Sequence, residues 1–186
     1  MTPRQSGFSL RPMEARDAPA VAALIRTAFA AQSVATDPPP SAARMTENDV
    51  AAHLRTGGGA VAEADSTLAG SALWVEQGMA PDWGLYLCRL AVAPAWRGRG
   101  IAKALIAAAE ATAREIGLPR IHLSTRLVLL DNRHLFAGCG FVETTRHAHP
   151  GYAEPTFVNM EKRLDGEAAG PIAGLRREEP WVCGAG

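Results

Sequence analysis

The run from Leu85 to Gly117 constrains this chain more than any other stretch. An apolar strand, Leu85 to Ala93, is closed by Pro94. It passes through two glycines, Gly98 and Gly100, into a helix expected from about Gly98 to Ile116, stopped by Gly117 and Pro119. Ile101, Leu105, Ala108, Thr112 and Ile116 mark its expected buried stripe, with Glu110 and Arg114 paired outside. A strand feeding a helix that packs back onto it requires a layered α/β arrangement. The turn also has chemistry. Glycine permits positive φ and lets a ligand approach the backbone closely. The first turn of a helix carries N–H groups without intrahelical partners, and its dipole favours anions. Arg97, Arg99 and Lys103 add cations, so the turn reads as a phosphate cradle. Arg99 and Lys103 could equally be solvated surface charges.

Two nucleotide-binding readings fit poorly. A Walker A loop ends in Gly-Lys-Ser/Thr, which is missing here. A dinucleotide loop needs a third glycine where Lys103 stands, and an acidic residue at the end of the next strand, Ile121 to Thr125.

The remaining chain supplies the other layers. Phe8 to Pro12 is an expected strand. Asp17 sits at an N-cap position before Ala18-Pro19, and Val21, Leu24, Ile25, Ala28 and Phe29 recur at helical spacing over 18–31. Asp37-Pro38-Pro39-Pro40-Ser41 is a loop. Thr46-Glu-Asn-Asp is a capping-box-like start to a helix that Thr56-Gly57-Gly58-Gly59 should end. Strands follow at Ala60 to Ala64 and Leu68 to Glu76, turned at Asp65-Ser66. After Thr125 come a short helix (Asn132 to Ala137), a strand (Gly140 to His147), a loop (His149 to Pro155) and a last strand (Thr156 to Arg163). The prediction is one α/β domain over residues 8–164. It has a mixed, mostly antiparallel sheet with helices on both faces, flanked by tails at 1–7 and 165–186.

Composition narrows the function. A net charge of +0 gives no footprint for nucleic acid. No signal peptide is expected at the N-terminus, and no segment approaches the roughly 20 apolar residues that span a bilayer. Three scattered cysteines make no disulfide framework or zinc site, so reduced thiols and a cytoplasmic location are expected. His147 and His149 lie two apart, but a metal site is not expected. A place on the substrate side suits His149 to Tyr152 better. The sequence admits a homodimer.

Arg97-x-x-Gly100-x-Ala102 resembles the Gln/Arg-x-x-Gly-x-Gly/Ala signature of the GNAT superfamily of acetyl-CoA-dependent N-acetyltransferases. The lead-in Leu90-Ala91-Val92-x-Pro94 is similar to that family's central strand. The Asn132…Gly140-Phe141 spacing resembles its variant with a shortened helix before a final hairpin. The resemblance spans roughly residues 8–164. It implies acetyl-CoA as the donor and a primary amine, expected on a small molecule, as the acceptor. The backbone of Leu90 and Val92 would pair with the pantetheine arm as an added strand. The N–H groups of Gly98, Arg99, Gly100, Ile101 and Ala102 would hold the pyrophosphate, aided by Arg97 and Arg99. Lys103 would reach the nucleotide phosphates, and Asn132 the pantetheine, unless Asn132 only caps its helix.

Catalysis is less legible. An amine with a pKa of about 10.4 must lose a proton before it attacks. Family members often carry a Glu on the central strand, but Tyr86 to Arg89 offers no carboxylate, so Glu76, at the end of the preceding strand, is the candidate base. The resemblance implies a backbone N–H at Leu90 as the oxyanion donor. Many family members place a proton-donating Tyr where this chain has Phe136, which leaves Tyr152 or water to protonate the departing thiolate. Cys88 and Cys139 adjoin the site and are expected to pack as small hydrophobes. The alternatives are a non-catalytic acyl-CoA-binding module and a protein or peptide N-acetyltransferase.

Overall fold

The computed structural model describes residues 7–78 and 82–165. The tails expected at either end therefore lie, apart from Gly7 and Asp165, outside the described residues. Strand β1 (Ser9–Pro12) leads to helix α1 (Ala18–Ala30) and helix α2 (Glu47–Thr56). Strands β2 (Gly57–Ala64), β3 (Thr67–Gln77) and β4 (Gly84–Val92) follow, then helix α3 (Ile101–Glu115). Strand β5 (Arg120–Arg126), helix α4 (Leu130–Gly138) and strands β6 (Val142–His147) and β7 (Phe157–Arg163) complete the order.

Local chemistry sets many of these boundaries. Thr46 and Asp49 close the expected capping box of α2: the Asp49 N–H donates to Thr46 Oγ1 at 3.2 Å, and the Thr46 N–H donates to Asp49 Oδ2 at 2.8 Å. Asp65 and Ser66 both take positive φ, 49° and 59°, as a two-residue hairpin turn demands.

Four expectations are corrected. Asp17 occupies the N-cap of α1 without capping it; its carboxylate accepts from the Glu14 N–H and from Arg11 instead. Helix α2 ends at Thr56 as expected, but the strand after it opens at Gly57, not Ala60, so the three glycines belong to β2. A Cβ on Gly57 would lie 2.2 Å from the Trp74 carbonyl oxygen, so the glycines let this strand pass close beneath Trp74. Helix α3 starts at Ile101, not Gly98, because Gly98 and Gly100 hold φ of 73° and 83°, outside the helical region. Its buried face is Ile101, Leu105, Ile106, Ala109 and Ala113. Ile116 falls past the helix end and is exposed, and Leu118, beyond the Gly117 turn, takes the buried place.

The strands form one seven-stranded sheet in the order β1-β2-β3-β4-β5-β7-β6. All neighbours are antiparallel except β4 and β5. Alternation along each strand sends side chains to two cores. On one face, α1 and α2 bring Val21, Ile25 and Val50 against Val61, Leu73 and Tyr86. On the other, α3 lays Ile101, Leu105 and Ile106 against Leu85, Leu87 and Ile121.

Polar groups are buried at the start of β5. Arg120 Nη1 lies 3.2 Å from Glu161 Oε2, and His122 Nδ1 lies 3.6 Å from the same oxygen. Burial pushes the Glu161 carboxyl up, but the His122 hydrogen bond and the Arg120 charge outweigh it and hold its pKa below 4.5. Glu110 lies 3.6 Å from Arg114, as its spacing suggests, but has a shorter bond of 2.6 Å to Lys162.

Candidate active site

Strands β4 and β5 start side by side and then part. Among the described residues their register contains only Leu85↔Ile121 and Tyr86↔His122. The cause lies in β4. Between its pairs with β3, Leu73↔Cys88 and Ser71↔Ala91, β4 carries one residue more than β3. That is a β-bulge, and Arg89, at φ 51°, sits in it. The bulge bends Leu90 to Val92 away from β5 and leaves that edge of β4 without a neighbouring strand.

Two cavities occupy the opening. The larger, about 900 Å³, runs from Leu90, Ala91 and Val92 past Gly98, Gly100, Ile101, Ala102 and Lys103 to Asn132 and Phe136. The smaller, about 330 Å³, lies between β4 and β5, with Arg89, Arg126 and His149 among its walls. They share Phe29, Gln32, Leu90, Leu129, Asn132 and Phe136.

The turn before α3 is open as the cradle reading requires. A Cβ built on Gly98 or Gly100 meets no atom within 4 Å. Ala104 N–H to Gly100 O, at 3.0 Å, is the first rung of the helix, so the amides of its first turn have no intrahelical acceptor. The surrounding cations divide. Lys103 lines the cavity, whereas Arg99 stacks on the Trp96 ring, 4.5 Å from its centroid. Arg97 lines the cavity, but its guanidinium donates to the Ala31 and Ala28 carbonyls at 2.8 and 2.9 Å. It thus clamps the C-terminus of α1, where a cation suits the dipole. Arg97→Ala is expected to lower stability by about 1 kcal/mol and to change acetyl-CoA affinity by only a few fold. Thermal unfolding and titration calorimetry check this, and a large affinity loss with no loss of stability would contradict the clamp.

Asn132 does not cap α4, which begins at Leu130 with Leu129 in the cap position. It sits one turn in, and it lines both cavities. Phe136 is buried, edge-on to Phe141 with 6.0 Å between ring centroids.

Two catalytic candidates are not brought to the site. Glu76 is exposed and in register with Leu85, five residues before Leu90, about 16 Å along the strand. Antiparallel pairing places the end of β3 beside the start of β4, and the site lies at the other end. Tyr152 lines neither cavity. Its hydroxyl donates to Asp37 Oδ1, and that bond to a carboxylate raises its pKa, so the proton is engaged already.

Sequence reasoning missed Arg126. It ends β5 inside the smaller cavity, donating to the Pro38 carbonyl at 2.9 Å, with Nη1 3.2 Å from His149 Nδ1. The only signal in the sequence was an arginine at the end of a strand that leads into the turn before α4. Arginine has no acceptor atom, so His149 Nδ1 must accept, and the neutral ring carries its proton on Nε2. Burial, followed by the Arg126 charge, holds the His149 pKa below its ordinary 6.5. Cys88, also on this wall, has its Sγ 3.6 Å from His53 Nε2, and burial raises the Cys139 thiol pKa.

No curated protein matches the chain in sequence. Solved structures match its fold. Among them is an IAA acetyltransferase from Bacillus cereus ATCC 14579, 18% identical, covering 84% of this chain and 99% of its own with a TM-score of 0.61. Another is the ribosomal-protein-S18-alanine N-acetyltransferase from Escherichia coli, 19% identical over 90% of this chain and 99% of its own, TM-score 0.64. A third is the PaiA N-acetyltransferase from Thermoplasma acidophilum in complex with coenzyme A, 16% identical over 84% of this chain and 98% of its own, TM-score 0.66. The profile of the acetyltransferase (GNAT) family matches residues 22–141, a span that runs from α1 through the bulged strand and its glycine turn to Phe141, so the chain belongs to that family.

Proposed function

We propose that this enzyme transfers an acetyl group from acetyl-CoA to the primary amine of a small molecule, by direct attack with both substrates bound. One observation carries the reading: the two cavities, one long and one small, meet at Leu90, Asn132 and Phe136. A donor in the first and an acceptor in the second would touch there.

The larger cavity suits acetyl-CoA. Its mouth is a glycine turn with open space where side chains would stand, beside helix amides suited to a diphosphate. Its inner wall is a strand edge suited to the amides of pantetheine. Acetyl-CoA supplies a thioester activated towards amines. The chain's own groups do the rest. Leu90 and Val92 would align the arm by backbone hydrogen bonds, Asn132 would hold it from α4, and the Leu90 N–H would stabilise charge on the carbonyl oxygen. Phe136 excludes water but gives no proton. A thiolate with a pKa near 8.5 leaves adequately without one. His149 Nδ1 is engaged by Arg126 and by Thr156 Oγ1, so solvent would take the proton of the amine.

The acceptor cavity favours a small molecule over a protein chain. The Tyr152–Asp37 bond ties the 149–156 loop to the 36–41 loop, both of which bear on the cavity. The test is release of free CoA thiol from acetyl-CoA across a panel of small amines and peptides. Turnover with small amines and little with peptides is expected. Tight acetyl-CoA binding without turnover on any amine would favour a binding module instead.

A further inference from the structure

The acceptor cavity has an unusual charge balance. Arg89 and Arg126 both line it, and among the described residues no Asp or Glu does. Arg126 is half-buried, and among the described residues it forms no ion pair. Its hydrogen-bond partners are neutral: the Pro38 carbonyl and His149 Nδ1. Burial pushes its pKa down, opposed by Tyr152 and by Asp37, which is exposed and accepts the Tyr152 hydroxyl. A guanidinium drawn out of water without a carboxylate partner is costly unless an anion arrives. The neighbouring His149 is fixed as an Nε2–H donor, which also suits an anion. Arg89, in the bulge, stands on the same wall and donates to Ser41 Oγ at 3.1 Å. The remaining lining is uncharged: neutral polar groups such as Gln32, Ser124 and Thr125 stand beside apolar side chains, among them Phe29, Leu123 and Phe157. A cavity of about 330 Å³ holds only a small molecule.

On the reading that this cavity takes the acceptor, we propose that the acceptor is a small amino-carboxylate with an apolar side chain, its carboxylate bound by Arg126 and its amine directed towards Leu90 and Asn132. A bidentate guanidinium–carboxylate pair fixes orientation as well as position. The same charges repel polyamines and other multiply cationic amines.

The test uses matched acceptors: leucine against leucinamide, and phenylalanine against phenylalaninamide, with thiol release as the readout. The carboxylates are expected to exceed the amides in kcat/KM by at least about tenfold. Arg126→Gln should bring the ratio to within about threefold, Arg126→Lys should keep much of the preference, and neither should alter acetyl-CoA affinity. Isocaproate, which lacks the amine, should compete with the acceptor in the unmodified protein, and isocaproamide should not. That comparison holds whether or not the variants fold. Amides as good as the carboxylates, or no competition by isocaproate, would overturn the proposal. If no amine turns over, calorimetry on the CoA-loaded protein decides: equal binding of leucine and leucinamide, or binding of neither, overturns it. Failure of acetyl-CoA itself to bind is read separately, and that would overturn the donor assignment.

Discussion

Gly100→Val should abolish useful acetyl-CoA binding, raising Kd on the order of 100-fold or more. Gly100 stands at φ 83°, directly before Ile101. A left-handed conformation costs an ordinary residue about 1–2 kcal/mol, and a β-branched one more. The turn would therefore rearrange, and the amides of Ile101 and Ala102 would lose their aim. If the turn held, the new side chain would enter the open space that the diphosphate is assigned. No protein atom stands within 4 Å of the added Cβ, so the damage is specific to backbone shape and ligand space, with no clash in the core. Calorimetric titration with acetyl-CoA measures the loss, and the unfolding midpoint controls for folding. A folded variant with unchanged affinity would remove the cradle from the account.

The second large effect is on stability. Glu161→Gln keeps the shape of the side chain and removes the charge that faces Arg120 and His122. Breaking one side of a buried ion pair leaves the other charge uncompensated, at a cost of about 3–5 kcal/mol. Asp82, 3.5 Å from Arg120, retains part of the pairing, so about 3 kcal/mol is expected, or roughly 10 °C in melting midpoint. The pH dependence has a definite sign. The folded carboxyl titrates below its ordinary 4.5, so its contribution is complete above that pH and is lost as pH falls through the folded value. The gap between the two proteins should therefore be constant near neutrality and narrow below pH 4.5. A gap that persists undiminished in acid would mean that the carboxylate charge is not what stabilises this corner.

The sequence was most informative where a single element decides the outcome. The strand–turn–helix from Leu85 to Gly117, the Thr46–Asp49 box and the Asp65-Ser66 turn all depend on neighbours within a few residues. The family itself was legible from such a local pattern. What failed depended on register. Glu76 seemed near the site because it ends the strand before β4; antiparallel pairing puts it at the opposite end. Arg97 carries the family's motif position, yet its head group finds carbonyls on α1, sixty-six and sixty-nine residues away in sequence. Arg126 could not be recognised as a site residue, because only the parting of β4 from β5 gives it a cavity to face. The bulge behind that parting left a trace, a charged Arg89 in an apolar strand, but the positive φ it adopts has no signature in residue type.

The short seam between β4 and β5 also bears on how the molecule behaves as a body. Strands β1 to β4 are zipped together on one side, and β5 to β7 on the other, with two residue pairs among the described residues bridging them along the sheet. A pantetheine chain laid against Leu90 and Val92 would act as a keystone between the two leaves. The empty protein should therefore breathe along this line, and stiffness would arrive with the cosubstrate.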